Sequence, residues 1–267
     1  MKVSVHGITD VGRKRDKNED SILVDPDLGI FMVADGMGGH LGGEFASQMA
    51  VKTVREVLVK SRESNGAIPP NSFEVEGHPA GQPPTRYAPK SPGDLLKLAI
   101  GLASRRIFRD ASRIPGLRGM GTTTVAILVR NDQAFVAHVG DSRAYLVRSG
   151  EIRQLTIDHS LVVEQLQAGF ITEAEVRNHK FRNIITRSVG FQEDVEVDLS
   201  VVEMEEDDRF ILCSDGLTNL VSEAEILKQV LRNRQPNPKA VCERLVNLAN
   251  ERGGDDNCSV VFLLLSS

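Results

Sequence analysis

Near the start of the chain the apolar positions follow a strand rhythm. Val3, Val5 and Ile8 open one strand. Residues 21–24 and 30–33 are two further apolar runs, joined by Asp25-Pro26-Asp27-Leu28-Gly29, a turn composition. Beyond a glycine-rich loop, residues 36–43, the rhythm changes. Ala46, Met49, Ala50, Val54, Val57 and Leu58 recur at helical spacing and predict a helix. Residues 61–92 break the pattern with Pro-Pro, Gly and polar sequence, and have too few apolar side chains to fold alone. They read as a surface insertion or a flexible loop rather than a domain linker, because Leu95, Leu98, Ala99 and Leu102 then resume a helix that suits the first as a partner.

From Gly121 the pattern predicts a β-meander: residues 122–129, 134–139 and 144–147, the last ending at a Ser149-Gly150 turn. Residues 159–186 read as short helices with polar breaks. Strands return at 195–201 and 209–213, amphipathic helices at about 223–232 and 238–251, and a last strand at 259–265. Strands and helices each come in runs, which argues for a mostly antiparallel α+β architecture. A parallel sheet would alternate one helix with each strand.

Composition removes several function classes. Aromatics are 4% with no Trp, which disfavours a base-stacking surface, and a net charge of -5 leaves no basic footprint for nucleic acid. Cys213, Cys242 and Cys258 have neither the number nor the spacing of a disulfide framework or a zinc site, so a reducing, cytoplasmic setting is expected. The first twenty residues hold no signal-like apolar segment. The apolar run 260–265 is too short to span a membrane and reads as a strand, so no membrane association is expected of this chain.

The candidate chemistry sits where strands end. Asp35-Gly36 follows one apolar run, Gly140-Asp141 a second and Asp215-Gly216 a third. Asp255-Asp256-Asn257 precedes the last strand and Asp20 opens another. Any one Asp-Gly is an ordinary turn. Several carboxylates at the edge of a core repel one another and resist burial, and a divalent cation relieves both costs. Oxygen donors alone favour Mg²⁺ or Mn²⁺ over zinc.

The motifs around these aspartates are specific in combination. They are Arg15-Asp16-Lys17-Asn18-Glu19-Asp20, Ala34-Asp35-Gly36-Met37-Gly38-Gly39-His40 with Gly43-Glu44, and Gly121-Thr122-Thr123. Further on come Val139-Gly140-Asp141-Ser142-Arg143, residues 155–160, Arg182-Asn183-Ile184-Ile185-Thr186-Arg187, Cys213-Ser214-Asp215-Gly216-Leu217 and Gly253-Gly254-Asp255-Asp256-Asn257-Cys258. In this order, over nearly the whole chain, the sequence resembles the type-2C (PPM) family of serine/threonine protein phosphatases in its bacterial form.

The resemblance implies a single catalytic domain over residues 1–267. Its fold would be a central antiparallel β-sandwich flanked by helices on both outer faces, four layers in the order α-β-β-α. It implies two Mn²⁺ or Mg²⁺ ions. Asp35 would bridge them, the Gly36 carbonyl would bind the second, Asp215 and Asp256 would hold the first, and Asp20 and Glu19 would hold metal-bound waters. A third, looser ion would sit near Asp141. Arg15 would grip the substrate phosphate with a bidentate fork. Hydroxide formed on the two ions would attack phosphorus in line, without a covalent phosphoenzyme. Met37 stands where many eukaryotic members have His and cannot donate a proton. His40 is therefore the candidate acid for the leaving oxygen, with a metal-bound water as the alternative. His138 and His159 read as structural. The segment at about 160–186 matches the family's variable flap beside the site, where Glu173, Glu175 and Arg177 read as a solvated face. The expected partners are phosphoserine and phosphothreonine proteins, with serine/threonine kinases as the opposing enzymes, and the expected state is a monomer.

Two other readings compete. Asp25-Pro26-Asp27 after an apolar run imitates the aspartyl nucleophile of haloacid-dehalogenase phosphatases, but that chemistry needs a parallel sheet. A non-catalytic pseudophosphatase would be favoured by a missing metal aspartate, and none is missing. Cysteine phosphatases fail because no Cys is followed by Arg at the position a phosphate-cradling loop requires.

Overall fold

The computed structural model describes residues 2–38, 42–64, 89–176, 179–233 and 236–266. The strands are β1 (Lys2–Asp10), β2 (Asp20–Asp25), β3 (Ile30–Met37), β4 (Gly121–Thr122), β5 (Thr124–Arg130), β6 (Gln133–Val139), β7 (Arg143–Arg148), β8 (Glu151–Gln154), β9 (Asp198–Glu203), β10 (Arg209–Cys213) and β11 (Cys258–Ser266). The helices are α1 (Gly42–Glu63), α2 (Pro92–Arg113), α3 (Leu161–Gln167), α4 (Glu173–Val176), α5 (Asp215–Thr218), α6 (Glu223–Leu231) and α7 (Pro238–Glu251).

One sheet has the order β1-β11-β10-β7-β8 and the other β2-β3-β5-β6-β9, with β4 paired to β3. The strand pairs in both are antiparallel. The layering follows from side-chain alternation. On β3, Ile30, Met32 and Ala34 face the core under α1 and α2, while Phe31 and Val33 face the other sheet. On β10, Phe210 and Leu212 meet Phe31 and Val33 between the sheets, while Ile211 and Cys213 pack beneath α5, α6 and α7. Central strands buried on both faces read as continuous apolar runs, and the result is the four-layer α-β-β-α sandwich.

Helix starts carry their own signals. Ser91 caps α2, its Oγ accepting from the Asp94 N–H at 3.0 Å, and Asn237 caps α7. Ser222 and Glu225 form a capping box on α6. Helices α1 and α2 share one core, as their paired patterns predict.

The structure corrects the element reading in several places. The expected three-strand meander is a β5-β6 hairpin; the chain then crosses at Gly140-Asp141-Ser142 so that β7 joins the opposite sheet. Gly140 has φ +102°, a conformation that disfavours a side chain, and an added Cβ would lie 2.7 Å from Thr123. This crossing puts Asp141 at the end of the sandwich. The expected strand 122–129 is interrupted at Thr123. The strand expected at 195–201 lies at Asp198–Glu203, because register with β6 begins at His138 opposite Asp198. Strand β8 was not anticipated, since its edge sequence carries a single apolar residue, Ile152, and the one-turn α5 is too short to show a period. Residues 61–63 of the expected insertion extend α1, and 65–88 lie outside the described residues. Asp25 is a turn residue: its Oδ1 accepts from the Leu28 N–H at 3.0 Å and its Oδ2 pairs with Arg55. With every pair of the named strands antiparallel, the aspartyl-nucleophile reading, which needs a parallel sheet, is excluded.

Candidate metal centre

The aspartates converge because the ends of β2, β3, β6, β10 and β11 do. Antiparallel register sets Asp20 directly opposite Asp35 on β2 and β3, an arrangement that like charges oppose. Asp35 is fixed through its backbone: its carbonyl accepts from the Thr122 Oγ1–H and the Thr123 N–H, both at 2.8 Å, and its N–H donates to Thr123 Oγ1 at 3.2 Å. Thr123 Oγ1 in turn lies 2.7 Å from Ser142 Oγ, beside Asp141. The Gly36 N–H donates to the Glu19 carbonyl at 3.2 Å, which ties the Asp35 loop to the Glu19-Asp20 segment.

From the other sheet, Asp215 starts α5. Gly216 lets that turn approach the 255–257 segment, since a Cβ there would lie 2.0 Å from the Asn257 carbonyl oxygen. Asn257 organises the surroundings: its Oδ1 accepts from the Glu19 N–H at 2.8 Å, and its amide donates to the Val11 and Lys17 carbonyls. Arg15 projects from the same loop and its Nη2 donates to Asp256 Oδ2 at 2.7 Å. Partial burial works against the Arg15 charge, yet Asp256, Glu19 and Asp35 raise its pKa above the ordinary value.

Electrostatics show what the cluster lacks. Removal from water and repulsion by Asp20, Asp215, Asp141 and Asp256 raise the Asp35 carboxyl well above the usual range. Burial lifts Asp20 to about 6, despite hydrogen bonds from Ser259 Oγ at 2.6 Å and Ser214 Oγ at 2.9 Å. Burial, Asp215 and Asp158 lift Asp141 to about 7. Burial and Asp256 raise Asp215, whose carboxyl group is within hydrogen-bonding reach of Asp35. Asp20 Oδ1 and Asp215 Oδ1 are buried without a partner. Unpartnered buried carboxylate oxygens on a ring of repelling aspartates are the donor set of a hard cation, so these residues fit a divalent ion.

The described residues hold a second polar cluster, His138, His159 and Asp198, whose ligating atoms lie within 4.8 Å of one another. Its chemistry opposes an ion. The His159 Nδ1 accepts from the Gly140 N–H at 3.0 Å, which leaves the proton on Nε2, 3.4 Å from Asp198 Oδ2. Arg187 donates to Asp198 Oδ1 at 2.7 Å and fills the space with its own positive charge. The two imidazoles stack at 4.8 Å and 18°, and burial keeps both neutral. The structural reading of both histidines therefore fits. His159 also joins the loop carrying Asp141 to the flap, through its carbonyl and the Thr186 N–H.

Asp20, Glu19, Asp35, Gly36, Asp141, Asp215, Asp256 and Arg15 thus all lie at one end of the sandwich. Glu173 and Glu175 are exposed on the flap as expected. His40 and Arg177 lie outside the described residues. Sequence reasoning gave no role to Asn257, Ser214, Ser259, Thr122 or Thr123. Their signal was position: each stands beside or within a motif at the end of a buried strand.

A sandwich that gathers aspartates at one end defines a class of protein that holds divalent cations with oxygen ligands. The family described as protein phosphatase 2C matches residues 12–253. The chain is 37% identical over 258 residues to the serine/threonine phosphatase stp of Listeria innocua, covering 96% of this chain and 93% of that one. It is 34% identical to the protein phosphatase PhpP of Streptococcus pneumoniae, covering 100% and 98%. Among solved structures it is similar to the serine/threonine phosphatase PstP/Ppp of Mycobacterium tuberculosis, with TM-score 0.82, 31% identity and 99% of each chain covered. It is also similar to a PstP catalytic domain solved with two manganese ions, with TM-score 0.80, 30% identity and 99% of each chain covered. The chain belongs to the type-2C (PPM) family of serine/threonine protein phosphatases. It is a protein-serine/threonine phosphatase, and no described helix is long and apolar enough to cross a membrane.

Proposed function

We propose that phosphoserine and phosphothreonine proteins are hydrolysed at the Asp35 cluster, with two Mn²⁺ or Mg²⁺ ions bound there and a third held more loosely near Asp141. The observation that carries this is the pair of buried, unpartnered oxygens, Asp20 Oδ1 and Asp215 Oδ1, beside an Asp35 carboxyl driven towards its neutral form. The manganese-bound relative supports the count. Asp35, the Gly36 carbonyl, Asp215 and Asp256 would hold the pair, with Asp20 and Glu19 ordering their waters. When bound, the ions supply Lewis acidity towards water and towards the phosphoryl oxygens.

The chain's own groups do the rest. Arg15 is half-exposed beside Asp256 and can turn its fork to a phosphate, because an exposed ion pair is cheap to open. Thr122 and Thr123 keep the Asp35 backbone from shifting as charge develops. His40 is proposed as proton donor to the leaving serine or threonine oxygen.

The same reading makes residues 1–267 one catalytic domain acting as a monomer against serine/threonine kinases. Three buried free cysteines support a reducing, cytoplasmic setting. The test is hydrolysis of a phosphothreonine peptide after chelation and again with Mn²⁺ or Mg²⁺ restored, alongside Asp35→Asn and Asp25→Asn. Metal-dependent turnover lost in Asp35→Asn and kept in Asp25→Asn is expected. Loss only in Asp25→Asn would contradict it.

A further inference from the structure

A groove of about 560 Å³ lies between the end of α2, the turn Pro115–Leu117 and the turn at Gly190. Its walls include Phe108, Pro115, Arg118, Gly119, Gly190 and Phe191. We propose that this groove receives the stretch of phosphoprotein substrate flanking the phosphorylated residue, with an apolar side chain against Phe191 and an acidic residue facing Arg118. The proposal rests on the phosphatase site described above and adds a sequence preference to it.

Continuity with that site comes first. Both walls grow from the backbone bridge that clamps Asp35. On one side Arg118 and Gly119 lead through the buried Met120 to Gly121 and Thr122, which pair with Met37 and Gly36. On the other, Gly190 and Phe191 follow Val189, which exchanges two backbone hydrogen bonds with Thr122, at 2.9 and 2.8 Å. Three residues, at most about 11 Å of chain, carry Arg118 to Gly121. A peptide with its phosphate at the aspartates can therefore lay its neighbouring residues in the groove.

The chemistry of the walls selects among such peptides. Phe191 is 65% exposed in a chain whose other large side chains are mostly packed into its cores. An aromatic left open beside a catalytic site is a contact in want of a partner. Arg118 is exposed and, among the described residues, has no carboxylate partner. Its neighbours on α2 are committed elsewhere, Arg105 to Asp194 and Arg106 to Glu56. An open aromatic next to an uncommitted guanidinium complements an apolar residue next to Glu or Asp. A small phosphoester has no flanking residue to place against either.

The experiment compares p-nitrophenyl phosphate with a phosphothreonine peptide carrying Leu and Glu on both sides, and with the same peptide bearing Lys for Glu, using wild type, Phe191→Ala and Arg118→Glu. Binding of the fluorescently labelled peptides is measured in parallel by anisotropy. Each variant should lower kcat/KM for the Glu peptide about 10-fold or more, mainly through KM, and leave p-nitrophenyl phosphate unchanged. Arg118→Glu should prefer the Lys peptide. The proposal is overturned if the variants treat peptide and small ester alike, if wild type is indifferent to Glu against Lys, or if Phe191→Ala turns a dimer into a monomer, which would make the groove a contact between copies. An anisotropy difference that survives without any hydrolysis would sustain the groove and sink the proposed catalytic site instead.

Discussion

Two polar clusters come within three residues of each other, at His138 and Asp141, and they are built on opposite terms. The His138, His159 and Asp198 cluster carries its own counter-charge in Arg187, and none of its polar atoms is both buried and unpartnered. The Asp20, Asp35, Asp141, Asp215 and Asp256 cluster has Arg15 at its rim, leaves two buried oxygens without partners, and holds several carboxyls above their usual pKa range. By distance alone the first cluster looks like a metal site. The second is the better ligand site, because only there does the protein leave charge unbalanced. Incomplete satisfaction, more than proximity, distinguishes a place that awaits a ligand from one that holds the fold together.

The largest break in this contrast comes from Asp215→Asn. Turnover should fall by about three orders of magnitude or more, about 4 kcal/mol of barrier. The metal-free protein should melt at a higher temperature, because one repelling charge is gone. Calorimetry and peptide hydrolysis together check this; a lower metal-free melting temperature would mean that Asp215 stabilises the fold without an ion.

A smaller effect is expected one layer out. Ser214 and Ser259 hold one oxygen of Asp20 and so aim the other into the centre. Ser259→Ala combined with Ser214→Ala should weaken apparent Mn²⁺ affinity about 10-fold, since groups that orient ligands have effects of that size. A Mn²⁺ titration of the double variant that overlays wild type would remove them from that role.

The smallest effect is one of pH. Asp20 at about 6 and Asp141 at about 7 bind protons more tightly in the folded chain than in the unfolded one, whose carboxyls keep ordinary values. The folded state then holds more protons between about pH 4 and 7, and unfolding becomes easier as pH rises through that window. The metal-free protein should therefore melt several degrees lower at pH 8 than at pH 5.5, and saturating Mn²⁺ should cancel the trend at the alkaline end. A metal-free melting temperature that rises with pH would contradict the repulsion.

Much of this was legible in the sequence. The buried central strands announced themselves as apolar runs, and the aspartates stood at their ends within an ordered set of motifs. The crossing at Gly140 was not legible, because a hairpin and a change of sheet leave similar local patterns, and only the pairing of β7 with β10 separates them. Edge strand β8 was missed because an exposed strand needs few apolar residues. The supporting residues were overlooked for another reason. Ser214, Ser259, Thr123 and Asn257 are short polar side chains of ordinary loop type, and their roles depend on strands far apart in sequence meeting at one end of the sandwich.

The most direct test is the number of Mn²⁺ ions bound, by isothermal titration calorimetry on chelated protein, in wild type, Asp35→Asn and Asp198→Asn. Wild type should bind two ions tightly, Asp198→Asn should bind the same number, and Asp35→Asn should lose tight binding. Retained binding in Asp35→Asn with loss in Asp198→Asn would transfer the metal to the histidine cluster and contradict the account.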